Sequence, residues 1–484
     1  MLVLLLASAA QAEVVWIEQD GDEPATIKLT VTPAPEAVPP FKHRLTVQPL
    51  DEKPGNAALW YFRALSNEGK DFKDYVRQNR EEFGEPYDEW NHPSGVPLKE
   101  LPLENVKKAF ALFSSDVRNL HEASLRQECD WDRGIESITG PGLIMLLLPE
   151  IQQMRELARM VNLGARLAVA EGRLDDAIDL LRINYRMAQH TATEPFLVSQ
   201  LVGIAIAGVG NGVLVDLIGT PDSPNLYWAL TELPSPLIDM RTSIRFELEI
   251  GQRIFPFLQD AETVTHSPDE WRLMWGQALV DLTSLSDRAS FTGNLPAQFG
   301  FVGLSLTNYS HAKRSLIEWG FEPERVEQMP VGQALAIYTK RIYERISQSY
   351  EKAVLVPFTD ADRFEDEARR LVDRARPFSD GPDREIFPVA ANLLPAVSAA
   401  RNAQVRIERE FAALRVIEAL RMHAAENDSE LPNKLNEVTC VPVPVNPVTD
   451  QPFVYYREGK TAVLELPKSD GLHYAVRYEI TIAP

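Results

Sequence analysis

The segment at 150–190 most constrains the fold, because it has the pattern of two amphipathic helices joined at Gly172. Apolar residues recur at three- and four-residue steps in both halves, which places them on one face of each helix. These residues are Ile151, Met154, Ala158, Val161, Ala165 and Ala168 in the first half, and Leu174, Ala177, Ile178, Leu181, Tyr185 and Ala188 in the second. Glycine suits the left-handed residue that ends a helix, and Asp175 and Asp176 supply carboxylates at the positive end of the next helix. The segment therefore predicts a helical hairpin, which is a scaffold and not an active site.

The small, turn and apolar positions of this hairpin resemble those of the tetratricopeptide repeat. The matching residues are Ala165, Ala168, Gly172, Leu174, Ala177 and Leu181, in that order. The hairpin departs from the repeat at Asn184, where the repeat has a small residue, and at Gln189, where it has a closing proline. Because no second copy follows at a fixed period, we expect an irregular helical bundle with one repeat-like hairpin and not a regular solenoid.

The first residues have the pattern of an export signal. An apolar run at 2–10 leads into Ala10-Gln11-Ala12, the small-x-small sequence that signal peptidases recognise. The positively charged start that such signals usually carry is missing, and a buried N-terminal strand or helix is the alternative. We expect a signal peptide at 1–12 with cleavage after Ala12, a mature chain that begins at Glu13, and a periplasmic or secreted location in the cell envelope.

After this leader, strand-type and helix-type patterns divide the chain. Alternating apolar and polar residues at 25–32 and 42–48 predict two strands of a small N-terminal β element at 13–54. A helical domain follows at 55–395 and contains the hairpin at 150–190. Its other helices are expected at 103–128, 196–218, 225–233, 238–258, 269–285, 332–354 and 360–375.

The predicted helix at 196–218 is apolar and long enough to suggest a membrane span. It also contains the Gly208-x-x-x-Gly212 spacing that is typical of paired membrane helices. However, Gln200, Asn211 and Asp216 lie within it, and polar groups are costly in a helix that faces lipid. We therefore expect a central helix buried on all sides, and no stable membrane insertion after processing.

The C-terminal part at 396–484 combines a long helix at 396–427 with a small antiparallel sheet. Charged residues are expected on one side of the helix, opposite its apolar positions. These charged residues are Arg401, Arg406, Glu408, Arg409 and Glu410. Short alternating runs at 453–456 and 462–466, a tight turn at Gly459 and a third strand at 473–482 make up the sheet.

This helix and sheet resemble the soluble end of type II secretion pseudopilins. The resemblance rests on the long helix followed by Leu431-Pro432, Val445-Asn446-Pro447 and Gln451-Pro452-Phe453-Val454-Tyr455. Pseudopilins carry their helix at the N-terminus behind a membrane segment, so filament assembly is not implied. The order of parts over the whole chain resembles an uncharacterised family of exported bacterial proteins with a tetratricopeptide-like middle and a pseudopilin-like tail, which implies no established activity. The expected fold is mainly α, with a small N-terminal β element and a small C-terminal antiparallel β module.

Charge and cysteine content limit the classes of partner. The chain carries 70 Asp and Glu against 49 Lys and Arg, a formal charge of −21, and no basic stripe stands out. Such a surface repels phosphate backbones and anionic lipid headgroups, so we expect no nucleic-acid partner. Cys129 and Cys440 are the only cysteines in the sequence, and a disulfide between them and two free thiols are both open interpretations.

Two groups of acidic residues have the composition of a site, and both have a structural explanation as well. Asp88, Glu89 and His92 share one loop and could supply metal ligands, but a solvated loop beside an aromatic anchor also explains them. Asp130 and Asp132 flank Trp131 and could act as paired carboxylates. Capping of helices or turns accounts for them equally simply, since acid catalysis needs a cleft and a shifted pKa.

Ser310 and Lys313 match the SxxK pattern of penicillin-recognising enzymes, in which the lysine activates the serine. The companion motifs of those enzymes are missing, as are HExxH, Walker A, GxSxG and GxGxxG patterns. Four tryptophans in helix-like surroundings could form a sugar or peptide platform, although core packing is the better interpretation. They are Trp228, Trp271, Trp275 and Trp319.

The sequence therefore assigns no catalytic, cofactor-binding or metal-binding residue. We expect an exported, non-catalytic helical scaffold that binds a peptide or protein partner in the cell envelope, because helical hairpins present concave binding surfaces. One alternative is an envelope hydrolase whose active-site residues meet only in the fold. Another is a structural component of a secretion or envelope assembly. The sequence leaves the oligomeric state open.

Overall fold

The computed structural model describes residues 13–17, 24–66, 78, 87–91, 93–143, 149–285, 297–375, 384–387, 395–468 and 475–483. The chain forms two compact units, each made of separate segments. The first unit is Met1–Trp131, Leu148–Met240 and Ala400–Pro484, and the second is Asp132–Leu147 and Arg241–Ala399. This division differs from the linear one expected from the sequence, because the first unit combines both ends of the chain with the hairpin. The predicted signal peptide at 1–12 lies outside the described residues.

Helices dominate both units, as expected. In the first unit they are α1 (Ala58–Leu65), α2 (Tyr87–Trp90), α3 (Leu103–Leu112), α4 (Ser114–Ser124), α5 (Pro149–Ala170), α6 (Leu174–Thr191), α7 (Leu197–Ile218) and α8 (Tyr227–Thr231). In the second they are α9 (Arg241–Ile254), α10 (Pro268–Leu285), α11 (Ala297–Glu318), α12 (Pro323–Gln328), α13 (Val331–Leu355) and α14 (Phe358–Arg374). The long helix α15 (Pro395–Glu426) contributes its residues from Ala400 onward to the first unit. Short 3-10 turns lie at Leu98–Glu100, Ile135–Ser137, Gly140–Leu143, Pro256–Leu258 and Leu435–Glu437.

The predicted hairpin is present as α5 and α6. Gly172 between them has φ +74°, the left-handed conformation that the sequence predicted for it. The predicted apolar stripes are buried, and Ala165 and Ala177 are fully inaccessible. Helix α7 packs against both helices of the hairpin, so a third helix of the same chain occupies their shared face. The hairpin therefore belongs to a helical core.

The apolar helix α7 is a buried core helix, as expected. It is the one helix among the described residues that is long and apolar enough to cross a membrane, and 72% of its most apolar stretch is buried within the protein. Its polar residues Gln200, Asn211 and Asp216 are all buried as well. Each of them has a hydrogen-bond partner within the first unit, which lowers the cost of burying it, although the side-chain oxygen of Gln200 has no partner among the described residues.

Strands from both ends of the chain form one mixed sheet in the first unit. The strands β1 (Glu13–Ile17), β2 (Ala25–Val31), β5 (Val454–Glu458), β6 (Thr461–Leu466) and β7 (Val476–Ile482) follow the spatial order β1-β2-β7-β6-β5. The three C-terminal strands are antiparallel, as predicted, and Gly459 forms the turn between β5 and β6 with φ +66°. The sequence did not predict that β2 pairs in parallel with β7, so that Ile27 lies opposite Tyr478.

The predicted strand at 42–48 is wrong. This segment consists of bends, although Leu45 is buried as the alternation required. Its polar neighbours, Arg44 and Thr46, both bind the side chain of Glu232. Arg44 forms an ion pair with this carboxylate, and the Thr46 hydroxyl donates to it over 2.8 Å. Alternation of apolar and polar residues therefore arises here without strand pairing.

The single helix predicted at 103–128 is also wrong, since the chain breaks at Phe113 into α3 and α4. Phe113 has φ −108° and ψ 18°, outside the helical region, and the Ser-Ser-Asp sequence that follows is typical of a helix start. The last predicted residues form the strand β4 (Arg126–Glu128), which pairs in parallel with β3 (Lys53–Asn56). The apolar periodicity of the sequence continues across the break at Phe113 because α3 and α4 each bury one face.

The charged side of α15 is largely buried. Arg401, Glu408 and Arg409 are each less than a tenth exposed, whereas Arg406 is exposed. Glu408 accepts hydrogen bonds from the Leu237 N–H over 2.8 Å and from the Ser235 hydroxyl over 3.0 Å. Glu408 thus accepts from the loop that contains Ser235 and Leu237, and a helical pattern cannot reveal such partners.

The second unit is helical throughout its described residues and has an aromatic core. The helices predicted at 238–258, 269–285, 332–354 and 360–375 are present with shifted ends, while α11 and α12 were not predicted. Trp271 and Trp275 are fully buried, which confirms the core-packing interpretation for both. Trp275 packs against Phe257 and Phe387 with ring centroids 5.1 and 5.3 Å away.

Candidate functional site

A cavity of about 570 Å³ lies in the first unit between the mixed sheet, α7 and α15, and we call it the sheet–helix cavity. Most of its wall is apolar. The apolar wall includes Ile27, Ile204, Val209, Val215, Ile407 and Leu414. Polar and charged residues also line it, among them Asn91, Ser94, Asn211, Arg406 and Glu410. A mainly apolar cavity with a few polar groups at fixed positions is typical of a site that binds a small ligand or a side chain.

Two glycines leave part of one face of α7 without side chains beside the cavity. Gly208 and Gly212 both line it and stand one helical turn apart. A β-carbon at Gly208 would lie 3.9 Å from the Ile407 side chain, which is ordinary contact, and one at Gly212 would lie 3.2 Å from Pro93, which is tight. The spacing that suggested a membrane helix pair therefore lies at the wall of a cavity inside the protein.

Asn211 and Glu410 form the polar end of the cavity. The Asn211 amide donates to the Glu410 carboxylate over 3.2 Å, and its oxygen accepts from the Tyr185 hydroxyl over 2.9 Å. Burial raises the pKa of Glu410, and the charge of nearby Arg406 offsets this only in part. Because Tyr185 fixes the Asn211 amide, the carboxyl group of Glu410 is held in one place on the wall.

Asn91 is a buried amide on the same wall. It is only 5% exposed, and neither its Nδ2 nor its Oδ1 has a hydrogen-bond partner in the part of the chain that the structure describes. Leaving such a group unpaired costs about 1–3 kcal/mol, so native proteins rarely keep one without a role. The unsatisfied amide is the feature of this cavity that most strongly suggests a missing binding partner.

A buried ion pair holds the segment around Asn91. The Arg166 guanidinium donates to Asp216 over 3.0 Å, to the Val96 carbonyl over 2.6 Å and to the Trp90 carbonyl. Arg166 is completely buried, and burial raises the pKa of Asp216 to about 6 although Arg166 counteracts it. Since the carbonyls of Trp90 and Val96 are both fixed, the amide of Asn91 is positioned by a rigid part of the core.

A second cavity of about 510 Å³ shares residues with the first. Trp16, Pro93 and Ser94 line both, and the second is also lined by Asp216 and Lys99. The two cavities therefore lie on either side of the same short segment and the same strand, β1. An extended ligand in one would approach the other along β1.

The acidic groups singled out in the sequence do not form a site in the described residues. Glu89 is exposed, while His92 and the Asp88 side chain lie outside the described residues. Asp130 and Asp132 are exposed, and Asp132 has φ 50°, as in a turn. The sequence directed attention to the right loop but to the wrong residue, because it is the neighbouring Asn91 that lines the sheet–helix cavity.

The serine–lysine pair on α11 lacks the electrostatics of a nucleophile and its base. Lys313 forms an ion pair with Glu327, and this hydrogen bond raises the pKa of the lysine. A lysine that activates a serine needs a lowered pKa, so that it can accept a proton. Ser310 itself is exposed.

Both cysteines are free thiols, which settles the two interpretations left open by the sequence. Cys129 is buried, and burial raises the pKa of its thiol to about 12. Burial likewise raises the pKa of Cys440. Neither thiol therefore has the thiolate character that redox or metal chemistry uses.

The other two tryptophans singled out in the sequence, Trp228 and Trp319, are only partly buried. Trp319 is 37% exposed and stacks on Tyr338 with ring centroids 5.4 Å apart. The indole N–H of Trp228 donates to Glu36 over 2.6 Å, and its ring lies 5.9 Å from that of Phe41. Each ring is thus engaged by its own unit, and the four tryptophans form no shared platform among the described residues of either unit.

Within the described residues, no three His, Cys, Asp or Glu side chains come together as a metal-binding group. No protein-family model, no curated protein and no solved structure matches this chain.

Proposed function

We propose that this chain is an exported, non-catalytic binding protein of the cell envelope, and that the sheet–helix cavity holds part of a peptide or protein partner. The observation that carries the proposal is the buried amide of Asn91, which lacks a hydrogen-bond partner in the described chain and lines the cavity. A ligand that formed hydrogen bonds with both of its atoms would offset the cost of their burial.

The chemistry of the wall supports binding more than catalysis. Among the described lining residues Glu410 is the one carboxyl group, and no histidine or cysteine accompanies it. Hydrolysis requires at least two cooperating groups, such as a nucleophile with its base or a pair of acids. Apolar surface with one carboxyl group, one guanidinium group and two amides instead suits an amphipathic segment of a peptide.

The position of the cavity changes where a partner is expected to bind. The sequence favoured the concave face of the hairpin, but α7 packs against both of its helices. A peptide cannot enter that face without displacing a core helix. The sheet–helix cavity, on the opposite side of α7 and next to α15, is the binding surface that we propose in its place.

A cavity-filling variant with a matched control tests this proposal. Gly208→Leu introduces a side chain beside Ile407, where the first added carbon meets only ordinary contact, and the rest of the side chain fills the cavity. Gly303→Leu changes an exposed helical glycine of the second unit with nothing within 4 Å. Binding is measured by selecting from a library of soluble peptides with the purified full chain.

The expected result is that the natural chain and Gly303→Leu enrich the same peptides, while Gly208→Leu loses them and retains its circular dichroism spectrum. If Gly208→Leu enriched the same peptides as the natural chain, the cavity would not be the binding site. Export is tested separately by N-terminal sequencing of the protein purified from cells. The mature chain should begin at Glu13. An intact Met1 in the cytoplasm would contradict it.

A further inference from the structure

The polar groups of the sheet–helix cavity differ in the kinds of ligand atom with which they can form hydrogen bonds. Asn211 is used on both sides, because its oxygen accepts from Tyr185 and its nitrogen donates to Glu410. Glu410 and Asn91 offer a ligand two different kinds of polar group at this wall. A carboxylate accepts hydrogen bonds only, whereas an amide both donates and accepts.

The surroundings of Glu410 favour a cationic ligand group. Its hydrogen-bond partner Asn211 is neutral, and Arg406 and Arg409 on the same helix compensate its burial incompletely, so its pKa is raised. A positive group brought next to a desolvated carboxylate stabilises the charged form and forms a strong, charge-assisted hydrogen bond. Arg406 is exposed, so it can turn towards solvent when such a group enters.

The Asn91 amide is the complement of a peptide unit. It offers one donor and one acceptor in a single plane, and both lack a partner in the described chain. A peptide unit presents one N–H and one C=O, so it can satisfy both atoms at once, whereas a simple alkylammonium ion can satisfy only the acceptor. Apolar side chains make up most of the cavity wall, and a hydrocarbon side chain can pack against them.

We propose that the sheet–helix cavity recognises the amino terminus of a peptide that begins with an apolar residue. The Glu410 carboxylate accepts from the terminal ammonium, Asn91 pairs with a peptide unit close to that terminus, and the first side chain lies against Ile407 and Leu414. A volume of about 570 Å³ lies within the range of roughly 300–1,000 Å³ that encloses small ligands. This inference rests on the proposed function, because it assigns the ligand of the same cavity.

The test uses synthetic pentapeptides that begin with leucine, phenylalanine or aspartate and share one polar tail. Each is prepared with a free and with an acetylated amino terminus, and its binding to the full chain is measured by isothermal titration calorimetry. We expect the leucine and phenylalanine peptides to bind, acetylation to weaken binding about tenfold or more, and the aspartate peptide to bind weakest, since its side chain adds a buried negative charge.

Two variants of α15 form a matched pair for the same measurement. Glu410→Gln removes the charge at the cavity, and Glu426→Gln removes one from an exposed position near the end of the same helix. We expect Glu410→Gln to reduce the difference between free and acetylated peptides to less than about threefold, because a neutral amide gains little from an ammonium. Glu426→Gln should keep the full difference. The comparison of acetylated and free peptides on the natural chain needs no variant, so it decides the question even if Glu410→Gln fails to fold.

The outcomes separate this inference from the proposed function. If free and acetylated leucine peptides bound equally well, or if binding depended instead on a free carboxyl terminus, recognition of the amino terminus would be overturned while a peptide-binding function survived. If no peptide bound in either form and the library selection with the natural chain also returned nothing, the proposed function itself would fail.

Discussion

The two units of this protein differ in one conspicuous part of their cores, which is a set of complete ion pairs in the first unit and a cluster of aromatic rings in the second. The first unit buries charge: Arg166 and Asp216 lie 3.0 Å apart, and Glu418 and Arg421 lie 2.9 Å apart, all with side chains at most 2% exposed. The second unit buries aromatic rings, with Trp275 at the centre of a cluster of phenylalanines. An aromatic core forms wherever large apolar rings can leave water, whereas a buried ion pair forms only when several separate segments meet correctly.

Arg421 illustrates how a buried charge connects distant parts of the first unit. Besides Glu418 it binds the Thr32 carbonyl over 3.0 Å and the Ser223 carbonyl and hydroxyl over 2.8 Å each. Moving two charges out of water costs several kcal/mol per ion, and only this complete set of partners offsets the cost. The first unit therefore depends on geometry, and the second depends mainly on apolar area and shape.

The largest effect is expected from breaking the ion pair on α15. Arg421→Ala leaves Glu418 buried without its cation and should lower the free energy of unfolding by about 3–5 kcal/mol. Urea denaturation measures the loss, and hydrogen exchange resolved along the chain should assign it to the first unit. The double variant Glu418→Leu with Arg421→Met removes both charges and should recover much of the loss. A double variant no more stable than Arg421→Ala would show that the ion pair itself is not the cause.

A smaller effect is expected from overpacking the aromatic core of the second unit. A β-carbon at Gly332 would lie 2.5 Å from the β-carbon of Trp271, and the Gly332 carbonyl accepts from the Trp275 indole over 2.9 Å. Gly332→Ala should therefore cost about 1–3 kcal/mol, through strain in the second unit. Gly303→Ala, a helical glycine with open space around it, should leave stability unchanged or raise it by up to about 1 kcal/mol. Equal stability of the two variants would contradict the close packing at Trp271.

A pH effect of about 1 kcal/mol should distinguish the first unit. His190 is buried, and burial lowers its pKa to about 3, with the Tyr61 hydroxyl 2.8 Å from its Nδ1. Between pH 6.5 and 3 the unfolded chain binds a proton at this residue and the folded chain does not, so stability falls as the pH falls through this window.

His190→Gln isolates that contribution, because all other titrating groups are the same in both proteins. The difference in unfolding free energy between the natural chain and this variant should shrink by about 1 kcal/mol from pH 6.5 to pH 5.5. Glutamine keeps an oxygen that can accept from Tyr61. A difference that is constant with pH would mean that His190 titrates normally in the folded protein.

The smallest effect is expected from an ion pair on the surface of the second unit. Lys352 and Glu367 lie 3.1 Å apart, and both side chains are about half exposed, at 49% and 47%. Lys352→Ala should change the unfolding free energy by less than about 1 kcal/mol, and less still in high salt. A loss as large as that of Arg421→Ala would erase the distinction between buried and exposed charge on which the comparison rests.

The parts of the fold that the sequence predicted are those set by short-range patterns. The hairpin at Gly172, the buried helix α7 and the core positions of Trp271 and Trp275 follow from periodicity, turn chemistry and residue size. The pairing of β2 with β7 did not, because partners so far apart leave no local signal. The burial of charges on α15 was not predicted for the same reason, since the groups that Glu408 binds lie on another segment.

The candidate site shows the same limit of sequence-based prediction, here for a single residue. The loop before Pro93 was singled out for its acids and its histidine, yet the residue that lines the sheet–helix cavity is Asn91. An asparagine beside a tryptophan carries no signal in a sequence. What distinguishes Asn91 is burial without a hydrogen-bond partner in the described chain, which is a property of the folded protein alone.

The parallel pairing of Ile27 in β2 with Tyr478 in β7 constrains the order in which parts of this protein can fold. The central strand β7 lies far along the chain from β2, so the ladder between these two strands can form only after the whole intervening chain has been synthesised, whereas β1 and β2 can already pair locally. Closing so long a loop is slow compared with forming local helices. A chain that lacked β7 would retain its hairpin but lose the strand that joins β1 and β2 to β5 and β6, and with it part of the sheet wall of the cavity.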